Sequence, residues 1–469
     1  MPSEDATRRT LAWFRDDLRI DDHRALHAAI DRGDDGFTAV FFATRGQWSR
    51  QHWGNNRIAM VEGAVRELRE ALAARGGDLH VFEVDDTELP SVLCRLVDSW
   101  SIDEVHANRE FGRYEDDRDH AVQSALESST GRLVLHEDET ILPVREIRSG
   151  AGTPYTVFTP FKKNWLKRLA ATDVEPRSCP TVQKGLPAPP DLGTAVDPAS
   201  WRNEAVSTPL FPAGEDEPRR RLAAFMSSGL ENYEAKRDLP AVDGTSTLSP
   251  WLACGSISPR RILRELRDRL GEDPASWSTG PSVWLSELVW REFYRHVMDG
   301  IPRLSMDRPL HGWTDGVAWR DAPADLAAWT EGRTGIALVD AGMRQLAATG
   351  WMHNRVRMVV ATFLTKHLLI DWREGERFFM SSLVDGDFCS NNGGWQWAAS
   401  TGTDAAPYFR VFNPDTQRVR FDAASAYVER WAPEHLSATP PSPMVDLKAA
   451  RVQAIDAFKA AKERAAPVT

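Results

Sequence analysis

Cysteine is scarce: the 469 residues hold four, Cys94, Cys179, Cys254 and Cys389, and no two form a CxxC pair. That excludes a disulfide scaffold, argues against zinc and points to a reducing cytoplasm; no metal site is expected. Long apolar runs are absent too. None approaches the ~18 residues a membrane span needs. The opening MPSEDATRRT has no apolar stretch behind its charges, so no signal peptide is expected. No GxGxxG follows the first expected strand, so a generic NAD site is unsupported. No GKS or GKT marks a Walker loop, and no internal repeat is visible. Basic charge is in deficit, with a net charge of −11. The deficit is lopsided, however. Residues 1–140 carry 17 Lys and Arg against 29 Asp and Glu, whereas the rest carries 40 against 39. A near-neutral C-terminal part can present a basic face, so the total does not exclude a nucleic-acid partner.

Tryptophan, by contrast, is abundant. Of 18, 11 fall from Trp251 to Trp397. Indoles are large and their N–H groups need partners when buried, and core packing alone does not account for so many beside Arg, Asn and His.

With 42% hydrophobic and 27% charged residues, the chain is long enough for two to four domains. Short apolar runs at Leu11–Phe14, Thr38–Ala43, Leu79–Val84, Asp103–Ala107 and Arg132–His136 read as strands. Between them, Ile58, Val61, Val65, Leu68 and Leu72 recur at helical spacing, and a shorter helix fits Glu88–Trp100. Strand and helix in alternation predict an α/β domain over 1–140, a doubly wound parallel sheet of Rossmann-like type. Pro-rich and polar texture then marks 141–218 as an interdomain linker. From 219 to 469 the helical period dominates: Leu222–Met226, Ile262–Leu270, Val283–Met298, Ile336–Leu346 and Val356–Leu369. A mainly α-helical C-terminal domain is expected.

Four segments carry chemistry. On a helix, Trp284, Glu287 and Arg291 share one face, with Trp290 close by. They form either the wall of a pocket for a flat, hydrogen-bonding ligand or a core helix with a surface ion pair. In Gly350–Met358, Arg355 and Arg357 point to different sides. A buried Arg needs a carboxylate, and Asp385 and Asp387 offer two, as a structural salt bridge or against a ligand ring. His353 alone reads as a hydrogen-bonded core histidine. The stretch from Asp385 to Trp397 combines amides, two adjacent glycines and two tryptophans. Glycine permits close backbone approach and Asn391 can both donate and accept, so a ligand site is favoured there. Tyr233 and the hydroxyl-rich Gly244–Pro250 suit a phosphate at a helix start, or a plain N-cap.

Together these segments resemble the DNA photolyases and cryptochromes, and within them the class I cyclobutane pyrimidine dimer photolyases. The resemblance runs from Trp13–Arg19 (WFRDDLR) through Val157–Phe161, Gly244–Ser249 and Glu287–Tyr294 to Gly350–Pro414. It is most specific in NNGGWQWAASTGTD, from Asn391 to Asp404.

The resemblance implies an N-terminal domain holding an antenna chromophore, and a helical domain that binds folded FAD and docks damaged DNA. Tyr233 with Thr245, Ser246, Thr247, Leu248 and Ser249 would hold the phosphates. Trp284, Arg291, Trp351, Asn354, Arg357, Asp385, Asp387 and Asn391 would surround flavin and adenine. Asn391 would lie at flavin N5, and Arg357 with Asp385 beside the ring, favouring the reduced anion. The substrate would be a flipped-out pyrimidine dimer. Trp290 and Trp397 would pack on its bases, Glu287 would hydrogen-bond one of them, and Met358 and Asn354 would line the cavity. Arg237, Arg355 and Gln417 would contact DNA. Trp395, Trp372 and Trp319 match the family's electron relay.

The (6-4) photolyases carry histidines where Asn354 and Met358 stand, which favours plain dimer splitting here. A basic residue or glycine usually stands at Thr247. Folate-binding members use an Asn-Glu pair after the fifth-strand region, matched here by Tyr114-Glu115, and a Cys-Lys step that is replaced by Ser305-Met306. The second chromophore is therefore 5,10-methenyltetrahydrofolate by overall similarity, with 8-hydroxydeazaflavin or none as alternatives. A cryptochrome photoreceptor is the rival reading. The chain ends soon after its helical part, and Glu287, Trp290, Asn354, Met358 and Trp397 are kept; both favour repair. A cytoplasmic monomer with no obligate protein partner is expected.

Overall fold

The computed structural model describes residues 7–187, 198–201, 211–405 and 407–466. The chain forms two compact units, each assembled from separate stretches. The first comprises Met1–Ile147, Asn164–Ala224 and Thr247–Trp277, and the second Arg148–Lys163, Phe225–Ser246 and Ser278–Thr469.

The first unit is built on a five-stranded parallel sheet of order β3-β2-β1-β4-β5. The strands are β1 (Arg9–Phe14), β2 (Gly36–Ala43), β3 (Leu79–Glu83), β4 (Glu104–Asn108) and β5 (Arg132–His136). Strands β1, β2 and β4 are buried almost throughout; β2 accordingly reads as a nearly continuous apolar run, whereas β4 alternates and buries Glu104, His106 and Asn108 as polar residues. The helix Asn55–Ala73 buries Val61, Val65, Leu68 and Leu72, and Leu89–Trp100 buries Leu93, Leu96, Val97 and Trp100. The chain winds outward from β1 to β3 and then restarts at β4. The switch between β1 and β4 is where such sheets bind ligands.

The unit boundaries fall elsewhere than at 140 and 218. Thr247–Trp277 reads as helical-domain sequence but packs with the sheet. Its Arg260, 1% exposed, donates from Nη2 to Asp138 Oδ1 (2.6 Å) and pairs through Nε with Asp22 Oδ2 (2.9 Å). A buried guanidinium needs such carboxylates, and both lie more than 100 residues upstream. The stretch read as a linker holds a helix, Phe158–Leu169, with Phe161, Trp165 and Leu169 buried. Its aromatic spacing was masked by Pro160 and four basic residues. The Pro-rich stretches 188–197 and 202–210 lie outside the described residues.

The second unit is helical. Its core gathers Trp329, Val339, Val356, Val360, Phe363, Leu364, Trp372, Phe379 and Trp395. Helix Asn354–Thr362 passes into a π-helical turn at Phe363–His367. Packing thus accounts for Trp329, Trp372 and Trp395, part of the tryptophan excess. Among the described residues no helix is long and apolar enough to cross a membrane.

Candidate active site

The Glu287 helix, Thr279–Gly300, is the spine of the site. A side chain at Gly280 would overlap the Leu230 and Glu231 carbonyls. This close approach seats the segment carrying Tyr233 and Arg237 beside the helix. Trp284 is buried, its Nε1 donating to Ser246 Oγ (3.4 Å) and its ring 5.1 Å from that of Phe225. One turn on, Glu287 accepts from Arg237 Nη1 at 2.5 Å. Burial pushes the Glu287 carboxyl up, and Arg237 opposes that shift. Arg237 also lies 5.6 Å over the Tyr233 ring. The helix is therefore more than a core element with a surface ion pair, since its carboxylate is only half-exposed.

The expected ion pair between Arg357 and the Asp385–Asp387 stretch forms with the first carboxylate. Arg357 Nη2 donates to Asp385 Oδ1 and Oδ2 (3.0 and 2.8 Å). Asp387 is taken by the Glu287 helix, accepting from Arg295 Nη2 at 2.5 Å. It also accepts from the Ser390 amide (2.8 Å), capping the Asn391 helix Phe388–Ala399. Burial would raise the Asp387 carboxyl, but Arg295 and Arg291 hold it well below the usual carboxylate range.

Arg355 pairs with Asp238 (2.8 Å). His353 is buried and caps its helix by accepting from the Arg355 amide at 3.2 Å. Burial lowers it to about 4, and the charges of Asp238, Arg357, Arg355 and Arg237 all reach it. It is the meeting point of the Glu287 and Asp385 clusters. Trp351 and Met358 nearby are half-buried and Asn354 exposed.

Asn391 donates from Nδ2 to the Glu376 carbonyl (3.0 Å), which leaves its own carbonyl oxygen free of protein partners among the described residues. The two glycines after it act differently. Gly393 makes room for the Tyr294 ring, whereas Gly394 faces open space. Only the second fits a close ligand approach. Trp290 has one face covered by Phe158 (3.6 Å, 6°), so a base could use only the other. Trp397 is half-buried against Phe412 (6.0 Å). Gln417 is half-buried with Oε1 unpartnered among the described residues.

Trp395 packs on Phe379 (5.0 Å) and against the helix carrying Trp372, where Gly375 admits its ring. Trp319 is half-buried against Phe458 (5.6 Å). Trp372 and Trp395 belong to one core cluster, and Trp319 packs against that cluster. In the hydroxyl-rich run, Thr247 has φ +50°. That left-handed backbone explains why a glycine would be at home there. Thr247 and the following Leu248 and Ser249 belong to the first unit, and Thr245 and Ser246 to the second.

In the first unit, Tyr114 and Glu115 follow β4, not a fifth strand, and open the helix Arg113–Leu126. Glu115 is buried and accepts from Gln51 Nε2 (2.7 Å) and Gln47 Nε2 (3.2 Å). Burial pushes it up to about 7. Close by, a small pocket opens at the carboxyl ends of β1 and β2, lined by Trp13, Arg15, Asp16, Phe41, Trp48 and Trp53 among others. Trp48 and Trp53 stack (5.4 Å, 10°), and Arg57 sits 4.0 Å over Trp53. Sequence reasoning missed this group. The signal was Asp16, two residues after the first strand, where switch-point ligands bind.

Comparison with known proteins decides the family. A family model described as DNA photolyase matches residues 10–182, and one described as the FAD binding domain of DNA photolyase matches 284–440. The deoxyribodipyrimidine photo-lyase of Escherichia coli (strain K12) is 42% identical, over 97% of this chain and 99% of that protein. The chain belongs to the DNA photolyase family. Among solved photolyase-family structures, a class III photolyase from Agrobacterium tumefaciens superposes with a TM-score of 0.85 at 32% identity, covering 99% of each chain. A Synechocystis cryptochrome gives 0.84 at 27% identity, over 97% of this chain and 100% of that one. The fold is therefore shared by photolyases and a cryptochrome.

Proposed function

We propose that this chain repairs cyclobutane pyrimidine dimers in DNA under light, acting on a dimer turned out of the duplex. The observation that carries this reading is the convergence on one flank of the second unit of Glu287–Arg237, Arg357–Asp385 and Arg295–Asp387 beside Asn391. FAD fits there. Arg291 and Arg357 match an anionic dinucleotide, Asn391 keeps an open acceptor for a flavin N–H, and Gly394 leaves backbone room. Bound and reduced, FAD supplies the excited-state electron that opens the cyclobutane ring.

The chain's own residues do the rest. Tyr233, Thr245 and Ser246 hold phosphate from one side, and Trp284, Trp351 and Asn354 flank the rings. Arg357, with Asp385 behind it, favours the anionic reduced form electrostatically. Trp319, Trp372 and Trp395 refill the site with electrons. Trp290 and Trp397 offer faces to the splayed bases, and Met358 closes the cavity wall. Glu287 hydrogen-bonds the dimer as negative charge grows on it, a role that its raised carboxyl suits. Arg237, Arg355 and Gln417 position DNA, and binding falls with salt. Arg237 and Arg355 each leave a carboxylate partner when they turn to phosphate.

A second chromophore in the first unit is 5,10-methenyltetrahydrofolate or 8-hydroxydeazaflavin. The stacked Trp48 and Trp53, Arg57 and the buried Glu115 favour a flat aromatic guest. The absorption spectrum of the purified protein separates the two. The protein acts as a cytoplasmic monomer in this reading.

Glu287→Ala is expected to lower repair yield about tenfold, as loss of ~1.5 kcal/mol of charge-assisted hydrogen bonding would, with a smaller effect on DNA affinity. Glu287→Gln, which keeps the shape, should fall between. Equal repair by all three proteins overturns the role of Glu287, and absence of light-dependent repair by the unaltered chain favours a photoreceptor.

A further inference from the structure

Glu376 lies in the helix Trp372–Ser382, 5% exposed. It holds two consecutive amides of the facing helix. Its carboxylate Oε1 accepts from Asn392 Nδ2 (2.9 Å), and its backbone carbonyl accepts from Asn391 Nδ2 (3.0 Å). Asn392 Oδ1 in turn accepts from Gln396 Nε2 (2.9 Å), and Gln396 Oε1 accepts from the Leu310 amide (3.0 Å). Asn392 and Gln396 are each 2% exposed. The result is a buried polar ladder directly behind Asn391.

No cation lies within ion-pair distance of Glu376 among the described residues. The facing helix brings only amides, and the charged groups that reach it are Asp307, Arg373 and Arg377. An ionised carboxylate buried against one amide donor is costly, whereas the neutral acid both accepts and donates. Burial pushes the Glu376 carboxyl up to about 8, Asp307 adds to the shift, and Asn392, Arg373 and Arg377 oppose it.

We propose that Glu376, kept as the neutral acid, is a positioning residue that locks the Asn391–Asn392 pair so that the Asn391 carbonyl, and not its amide, faces the flavin. An asparagine side chain is nearly isosteric end for end, so its direction is decided by its partners. The main-chain carbonyl of Glu376 captures the Asn391 nitrogen. The side chain of Glu376 captures the next residue and fixes the helix rotation that makes this possible. Ionisation of Glu376 would tighten its hold on Asn392 Nδ2 and set a buried negative charge behind Asn391. The flavin site is thereby sensitive to alkaline pH. This inference rests on the assignment of Asn391 to the flavin site.

The test compares the unaltered protein with Glu376→Gln and Glu376→Ala, each as the FAD-loaded chain and after flavin removal. The infrared difference spectrum between the unaltered protein and Glu376→Gln, in which Glu115 and the other raised carboxyls cancel, should contain the carbonyl stretch of a buried carboxylic acid, fading with a midpoint near pH 8. The flavin absorption band should shift over the same pH range in the unaltered protein and stay constant in Glu376→Gln. Glu376→Ala should lose about tenfold in FAD affinity, and Glu376→Gln should retain it. The proposal is overturned by a difference spectrum that lacks this band, by a flavin shift of equal size in Glu376→Gln, or by weak FAD binding in a Glu376→Gln protein that remains folded. Glu287→Ala should leave all these signals in place while impairing repair, so the two readings fail separately.

Discussion

At position 375 a single methyl group has nowhere to go. A Cβ there would overlap the ring of Trp395 and press on Leu364. The indole is buried and rigidly held, so it cannot step aside cheaply. Gly375→Ala should therefore cost ~1–3 kcal/mol in denaturant unfolding. It should also slow light-driven reduction of the bound flavin if Trp395 is the inner member of the relay; transient absorption would record the change. Residue types at the site were legible in the sequence, because the runs that carry Glu287, Arg357, Asp385 and Asn391 resemble those of a known family. Their partners were not. Arg237 meets Glu287 across 50 residues, and Arg295 reaches Asp387 across 92. Phe158 covers Trp290 from a stretch that reads as a linker. Such pairings depend on tertiary packing, which leaves no local periodicity.

The Asn391 helix shows the same division at the level of an element. Its start is readable: Asp387 is an acceptor that caps the Ser390 amide. Its second task, neutralising Arg295 (4% side-chain exposure), is not. The two tasks separate by mutation. Asp387→Ala removes the cap and strands a buried guanidinium, a loss of about 3–5 kcal/mol by the behaviour of broken buried pairs. Asp387→Asn keeps a capping oxygen and should recover ~1 kcal/mol of that, measured by urea unfolding. If the two variants were equally unstable, the cap would contribute nothing. Strands and long helices of the sheet unit follow their apolar pattern closely. The helix Phe158–Leu169 did not declare itself, because proline and lysine outweigh its apolar face in composition.

Across the whole molecule, acid should act first on histidines. In the sheet unit, His106 Nδ1 lies 2.9 Å from His136 Nε2, and His106 Nε2 lies 3.1 Å from Glu104 Oε2. Burial lowers both histidines to about 4, despite the Glu104 carboxylate beside His106. A histidine depressed in the folded state takes up protons more readily when unfolded. Its contribution is thus present above the ordinary histidine value of 6.5 and is lost as pH falls toward about 4. Glu104 is held near 2 against its burial by Arg32 and Arg132, so its contribution survives until lower pH. Stability should decline by a few kcal/mol between pH 6.5 and 4. His106→Gln should flatten that slope in urea titrations at several pH values, and an unchanged slope would place the acid sensitivity elsewhere.

The interleaving of the two units has a consequence for biosynthesis. When the fifth strand has left the ribosome, Asp22 and Asp138 are both in place, but Arg260, which joins them, is still more than a hundred residues from being made. Two acidic side chains destined for full burial wait as an unfinished socket while the nascent chain grows. The last stretch of the sheet unit ends only at Trp277. By then Arg148–Lys163 and Phe225–Ser246, pieces of the other unit, are already outside. A gene cut after codon 140 or 218 would sever that socket from its plug. The natural seam for splitting or fusing this protein is therefore not where its amino-acid texture changes.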